Sequence, residues 1–217
     1  MITTKTDISN LALGKLAARR IASYDSDSTV EARACRLHLD HVVDTLLQRH
    51  QWNFGTARIG LSKLVDEPLS EWAAAWQLPA DCVRILRLST DDPLNPIPSF
   101  AREGRKILCN ETVEVNLVYV TNLTPVNEWD PLFVDAVVFK LAAEIAGDVT
   151  QNPALADDCL KKLEALALPA AQTADARETN SGENFGALQL ISQSQLVRTR
   201  LGGGSPAHLA GRTIELP

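Results

Sequence analysis

Apolar residues recur with the period of an α-helix in the N-terminal part of the chain. Between residues 7 and 18, Ile8, Leu11, Ala12 and Leu16 are apolar and lie at helical spacing, which predicts a short helix capped by Asp7. Ser28 and Glu31 match a capping box, and an apolar stripe continues from there to about His50. The sequence therefore predicts a second, long helix over residues 28–50.

The long helix carries more apolar surface than one contact would bury. One stripe consists of Cys35, Leu39, Val42 and Leu46, and a second, on another side, consists of Val30, Ala34, Leu37 and His41. Because each stripe favours a packing partner of its own, the helix needs cover on two sides, either from its own bundle or from a neighbouring subunit.

From Trp52 to Trp129 the pattern changes to that of β-structure. Prolines at positions 68, 79, 93, 96, 98 and 125 exclude a long helix. Residues 113–119 alternate strictly and place Val113, Val115, Leu117 and Tyr119 on one face, which predicts the clearest strand. Further strands are predicted at 83–89, 100–102 and 106–109, joined by hairpins at 103–104 and 110–111.

Helical signals return at two places, each with a capping residue followed by proline. Asp130-Pro131 precedes the stripe Val134, Val137, Val138, Leu141 and Ile145, and Asn152-Pro153 precedes Leu155, Cys159, Leu163 and Leu166. Pro169 is expected to kink or stop the last helix. Helices thus flank the strands, which predicts an α+β fold. A bundle of about four helices comprises residues 1–54 and 130–178, and an antiparallel β domain is inserted at residues 55–129.

Residues 179–217 have a different composition. Six glycines, three of them consecutive at Gly202, Gly203 and Gly204, lie among Ser, Gln and Asn, yet apolar residues recur at Phe185, Leu188, Leu190, Ile191, Leu196 and Val197. A simple linker needs no such apolar residues. We therefore predict an extended C-terminal tail that becomes ordered on a partner, with the triple glycine as a hinge.

The overall composition is that of a globular protein, since 45% of the 217 residues are hydrophobic and the formal net charge is −6. The negative charge disfavours sequence-independent binding of nucleic acid. The N-terminus lacks the apolar core of a signal peptide, and no apolar run is long enough for a bilayer, so we expect synthesis inside the cell and no membrane association. The cysteines at positions 35, 82, 109 and 159 form no C-x-x-C pair, which is typical of buried reduced thiols.

The motifs that resemble active sites are weak. Cys35-x-x-His38-x-x-His41 contains ligand residues, but positions three and six apart on a helix do not share one face. The acid pairs at 91–92 and 157–158 fit a turn and a solvated helix surface. We therefore predict no catalytic residue, no metal site and no cofactor.

Several motifs occur together in an order that is typical of one protein family. Gln51-Trp-Asn-Phe54 follows the long helix, Trp76-Gln-Leu-Pro-Ala-Asp-Cys-Val-Arg-Ile85 and an Asn-Leu-Val-Tyr-Val strand follow in the β region, and Trp129-Asp-Pro-Leu-Phe-Val-Asp-Ala136 opens the next helix. Over residues 5–178 the chain resembles the head-to-tail adaptor (connector) proteins of tailed bacteriophages, and in particular the tail tubular protein A group of short-tailed phages. It departs from that family at Trp76, where tyrosines are common, and at Pro169, which interrupts a helix expected to be continuous.

The resemblance implies a structural virion protein and not an enzyme. Its copies would form a ring, dodecameric in the family, beneath the portal protein. The ring would extend the channel through which DNA passes without sequence-specific binding, and it would carry the downstream tail or nozzle protein, with tail fibres or spikes as further candidates.

The resemblance also assigns roles to particular residues. The α-helical stripe of Val30, Ala34, Leu37 and His41 would contact the neighbouring subunit. The tail would dock on the portal through its apolar residues together with Arg198 and Arg200. Trp52, Phe54, Trp76 and Trp129 would fix the junction between the bundle and the β domain; simple core aromatics are the other interpretation.

Two other function classes stay open. One is a cell-wall hydrolase carried in a phage tail, which needs a cleft with converging acids. The other is a host-encoded adaptor without a connection to phages.

Overall fold

Helices lie at both ends of the described chain and strands lie between them. The computed structural model describes residues 4–66, 68, 71–90 and 96–178, so the predicted tail lies outside the described residues. The helices are α1 (Lys5–Lys15), α2 (Val30–Arg49), α3 (Pro131–Thr150), α4 (Pro153–Lys162) and α5 (Leu168–Glu178). The strands are β1 (Thr56–Gly60), β2 (Ala74–Gln77), β3 (Cys82–Ser89), β4 (Ala101–Glu103), β5 (Lys106–Cys109) and β6 (Asn116–Thr121). The predicted α+β class is confirmed.

The first two helices begin at threonines and not at the predicted caps. Thr4 caps α1 because its Oγ1 accepts a hydrogen bond from the Asp7 amide at 3.1 Å, while the Asp7 carboxylate accepts one from the Thr4 amide at 3.1 Å. Asp7 is therefore the third residue of a capping box. Thr29, and not Ser28, caps α2 by accepting from the Ala32 amide at 3.4 Å. In both places polar residues within three positions of each other could serve as the cap, and sequence spacing alone does not choose between them.

The last two caps are as predicted, but the last helix extends past the proline expected to kink or stop it. Asp130 and Asn152 cap α3 and α4, each followed by proline. Helix α3 ends at Thr150. Pro169 does not stop the last helix, because α4 continues through a π-helical segment, Leu163–Ala167, into α5. The wider π turn accommodates the missing amide hydrogen of the proline.

Helix α3 is the centre of the bundle and packs against α1, α2, α4 and α5. Its predicted stripe is buried, as is the first stripe of α2, formed by Cys35, Leu39, Val42 and Leu46. Burying one such aliphatic side chain contributes about 2 kcal/mol before conformational entropy is counted. The helical period in the sequence therefore identified the inner faces of both long helices correctly.

The strands form two three-stranded antiparallel sheets and not one meander. Sheet A has the order β1-β6-β3, and sheet B has the order β2-β5-β4. The β4–β5 hairpin forms as predicted, with Gly104 in the left-handed region at φ 59°. The predicted β5–β6 hairpin is wrong, because these strands belong to different sheets that share a core. Both strands bury a face in that core, so alternation alone does not reveal their pairing partners.

Strand β6 is buried on both faces near its end. Leu117 and Tyr119 lie in the core between the two sheets, whereas Val120 lies in the core of the helical bundle. The strand also begins later than predicted, and Val113 is 89% exposed. β6 thus connects the β region to the helices, together with β3, whose Val83 and Leu86 also pack against the bundle core.

Candidate junction and interface surfaces

An aromatic cluster lies where the chain leaves α2 for β1. The rings of Trp52, Phe54 and Trp129 surround Phe133 of α3, at centroid distances of 4.8, 4.9 and 5.4 Å from it. Trp52 is fully buried and donates its indole N–H to the Leu46 carbonyl at 2.9 Å. Three of the four aromatics assigned to the junction therefore meet in this junction cluster. Phe133 was not singled out from the sequence because it is one of many apolar residues at helical spacing.

Trp76 lies elsewhere, and its assignment to the junction is wrong. It belongs to β2 and is buried between the two sheets, in the same core as Ile107 and Leu117. Its indole N–H donates to the Glu111 carbonyl at 3.3 Å. The physical reason is that sheet B packs its inner face on sheet A, so a side chain on that face is buried away from the helices.

A buried carboxyl group connects α5 to the junction. Asp175 is 2% exposed, and its Oδ1 accepts a hydrogen bond from the Asn53 amide at 2.8 Å while its Oδ2 lies 2.9 Å from His50 Nε2. The Asn53 side chain donates to the Asp175 carbonyl at 2.8 Å. The sequence analysis missed this contact. No local pattern indicated it, because Asp175 is a single acid in a helix.

The second stripe of α2 is divided between the interior and the surface. Ala34 is buried, whereas Val30, Leu37 and His41 are exposed, Leu37 to 72%. These three exposed residues are seven and four positions apart and lie on one side of the helix. This α2 outer face, defined as Val30, Leu37 and His41, is not covered by the part of the chain that the structure describes.

A groove of about 420 Å³ lies between α2 and the segment that leads from β6 to α3. On its α2 side, Asp40 pairs with Lys5 at 2.7 Å, and Asp44 accepts a hydrogen bond from the Asn122 side chain at 3.0 Å. The exposed side chain of Leu123 lines the opposite side. The groove is therefore lined by both apolar and charged side chains.

Asp81, in the Leu-Pro-Ala-Asp motif, connects the start of β3 to the end of β6. Its Oδ2 accepts hydrogen bonds from Tyr119 Oη at 2.9 Å and Thr121 Oγ1 at 2.6 Å. Burial opposes the charge, but these hydrogen bonds lower the pKa of the Asp81 carboxyl. Burial, together with the bond to Asp81, raises the pKa of Tyr119 to about 12. The motif therefore has a structural role in sheet A.

The residues considered as catalytic or metal-binding candidates do not lie together in one site. Cys35, Cys82, Cys109 and Cys159 are buried and free, and burial raises the pKa of each thiol. Within the described ranges, no group of three or more His, Cys, Asp or Glu side chains could hold a metal ion. The acid pair at 157–158 is exposed on α4, where Asp158 pairs with Lys162 at 2.6 Å. The pair at 91–92 lies outside the described residues.

The predicted docking tail also lies outside the described residues. This applies to Phe185, Leu188, Leu190, Ile191, Leu196, Val197, Arg198 and Arg200 and to the glycines at 202–204. Within the described part of the chain, no helix is long and apolar enough to cross a membrane.

No protein-family model and no curated protein matches the chain. The candidate surfaces are therefore defined by the sequence motifs and by the contacts described above.

Proposed function

We propose that this protein is a structural virion protein, a head-to-tail adaptor whose copies form a ring beneath the portal of a tailed phage. The observation that carries the proposal is the junction cluster. The motif at 51–54 and the motif at 129–136, which both contribute to the resemblance, meet there through Trp52, Phe54 and Phe133. Motifs far apart in the sequence thus serve one structural purpose.

That purpose is rigidity between the two parts of the fold. A subunit that extends a channel must keep its shape under contact with components on both sides, and close aromatic packing restricts relative motion. The shared strand β6 acts in the same direction, since Val120 packs with the helices and Leu117 packs between the sheets.

The α2 outer face is the surface proposed for the neighbouring subunit. A ring requires a heterologous contact, in which one face of each copy binds a different face of the next. Leu37 on this face is an apolar side chain in a position where a neighbour would exclude water from it. The negative net charge suits a channel wall along which DNA slides without binding.

Co-sedimentation with portal rings from the same particle tests the proposal. The full chain is compared with a version that ends at Glu178. We expect the full chain to sediment with the ring and the shortened chain to stay in the supernatant, because the tail is proposed to dock on the portal. Equal binding of both versions would contradict the role of the tail, and binding of neither would contradict the adaptor proposal.

A further inference from the structure

Helix α5 is attached to the rest of the fold by few apolar side chains. Over its length, from Leu168 to Glu178, the buried residues are Leu168, Ala171 and Asp175. Leu168 is the first residue of the helix, and the last two turns bury little beyond one methyl group and one carboxyl group. An element with so little buried apolar surface has a low free energy of local unfolding.

A natural pivot precedes this helix. The π segment, Leu163–Ala167, and Pro169 interrupt the regular hydrogen-bond ladder between α4 and α5. Arg49 at the end of α2 donates two hydrogen bonds to the Glu164 carboxylate, at 2.6 and 2.9 Å, and so holds the π segment in place. The π segment is thus fixed at Glu164, and the helical hydrogen-bond pattern is irregular just before α5.

The far half of α5 is held by polar contacts. Asp175 accepts the Asn53 amide hydrogen and lies within hydrogen-bond distance of His50, and the Asn53 side chain donates to the Asp175 carbonyl. His50 packs edge-on against Trp52, with the ring centroids 4.8 Å apart. We call these contacts of Asp175 with His50 and Asn53 the α5 latch.

We infer that α5 is a hinged arm, which pivots at the π segment and is held against the junction by the α5 latch. When the latch opens, α5 leaves the bundle while α2 and α3 stay packed, because α2 and α3 contact each other directly through large apolar side chains. Opening uncovers His50, Asn53 and the side of α3 that α5 covers. His50 and Asn53 are half-buried in the closed state, so opening adds to their exposure and makes the covered side of α3 accessible to a partner. The inference concerns the described fold and does not depend on the proposed adaptor function.

Hydrogen–deuterium exchange of the full chain, followed by mass spectrometry, tests the arm. In the unaltered protein, we expect the amides at 170–178 to exchange through a local opening, faster than those in the middle of α3 and with a weaker dependence on denaturant. Exchange of both helices at one rate with one denaturant dependence would overturn the inference, because α5 would then open with the whole molecule. This comparison needs no substitution.

Two matched variants test the latch. Asp175→Leu keeps a side chain of similar size but removes both carboxylate oxygens, while the backbone carbonyl stays, and we expect exchange at 170–178 to rise by about 10- to 100-fold, with a smaller change in α3. Asp158→Leu, the same substitution at an exposed position of α4, should leave α5 exchange unchanged. Equal acceleration in α3 and α5 by Asp175→Leu, or acceleration of α5 by Asp158→Leu, would overturn the role of the latch. If Asp175→Leu does not fold, Asp175→Asn replaces it, with a smaller expected rise.

Discussion

The Oδ2 atom of Asp175 lies 2.9 Å from Nε2 of His50, although the two residues are 125 positions apart in the chain. Asp175 is in the last described helix, and His50 is the residue that ends α2. This contact links the final described helix to the point where the chain leaves the bundle for the strands.

Removing the Asp175 side chain should lower the free energy of unfolding. Asp175→Ala removes the carboxylate that accepts the half-buried hydrogen bond from the Asn53 amide, and we expect a loss of about 2–3 kcal/mol. Urea unfolding followed by circular dichroism measures this. Arg177→Ala, at an exposed position two residues later, is the control and should change stability by less than about 0.5 kcal/mol. Equal effects of the two variants would argue against a structural role of the carboxyl group.

Phe133 should be the most sensitive position of the junction cluster. Phe133→Ala removes the ring that Trp52, Phe54 and Trp129 contact, and a cost of about 3–5 kcal/mol is expected. Phe133→Leu fills part of the space and should cost clearly less. Urea denaturation again gives the values. The interpretation of the cluster fails if the two variants are equally stable.

Both tyrosines of the chain should ionise at a higher pH than an exposed tyrosine does. Burial is the largest cause that raises the pKa of Tyr24 and of Tyr119 to about 12, from an ordinary value of 10.0. Each folded pKa lies above the unfolded value, so the folded state binds its proton more tightly. The associated stability is complete below pH 10 and is lost as the pH rises through 10 towards 12.

Absorbance at 295 nm tests this, because no other tyrosine contributes to the signal. We expect little phenolate near pH 10.5 in the folded protein and about three-quarters of the full signal in denaturant at the same pH. Tyr119→Phe should remove about half of the titration. A folded-state midpoint near 10 would contradict the prediction.

The α2 outer face should be needed for assembly but not for folding. Leu37→Glu changes a side chain that is 72% exposed, so the free energy of unfolding should change by less than about 0.5 kcal/mol. Under the proposed ring contact, the charge would have to be buried against the neighbour, and ring formation should be abolished. Mass photometry in the presence of portal rings measures the assembled fraction. Leu166→Glu, at a 67% exposed position of the π segment, is the matched control and should assemble normally.

The sequence predicted those features that depend on local spacing. The buried stripes of α2 and α3, the Asp130 and Asn152 caps and the β4–β5 hairpin follow from residues within a few positions of one another. The division of the strands into two sheets did not follow, because β5 and β6 have the same alternation whether they pair or face each other across a core. Trp76 was misplaced for the same reason.

The candidate site was predicted in part. The aromatics near residues 52 and 129 are rare residues at the boundaries of the β region, and they do meet. The α5 latch joins α5 to the end of α2, two segments that come together only in the folded chain. A single acid in a helix gives no sign of burial. The threonine caps were missed because neighbouring polar residues fit the same pattern.

Strand β6 has a consequence for how separable the β region is. Consecutive residues Tyr119 and Val120 belong to two different hydrophobic cores. Removing residues 55–129, or exchanging them for the corresponding segment of another protein, would withdraw a side chain from the helical core as well. The insert is therefore not an exchangeable module. To graft it onto another helical bundle, both its ends and the side chain that β6 places in the helical core would have to fit that bundle.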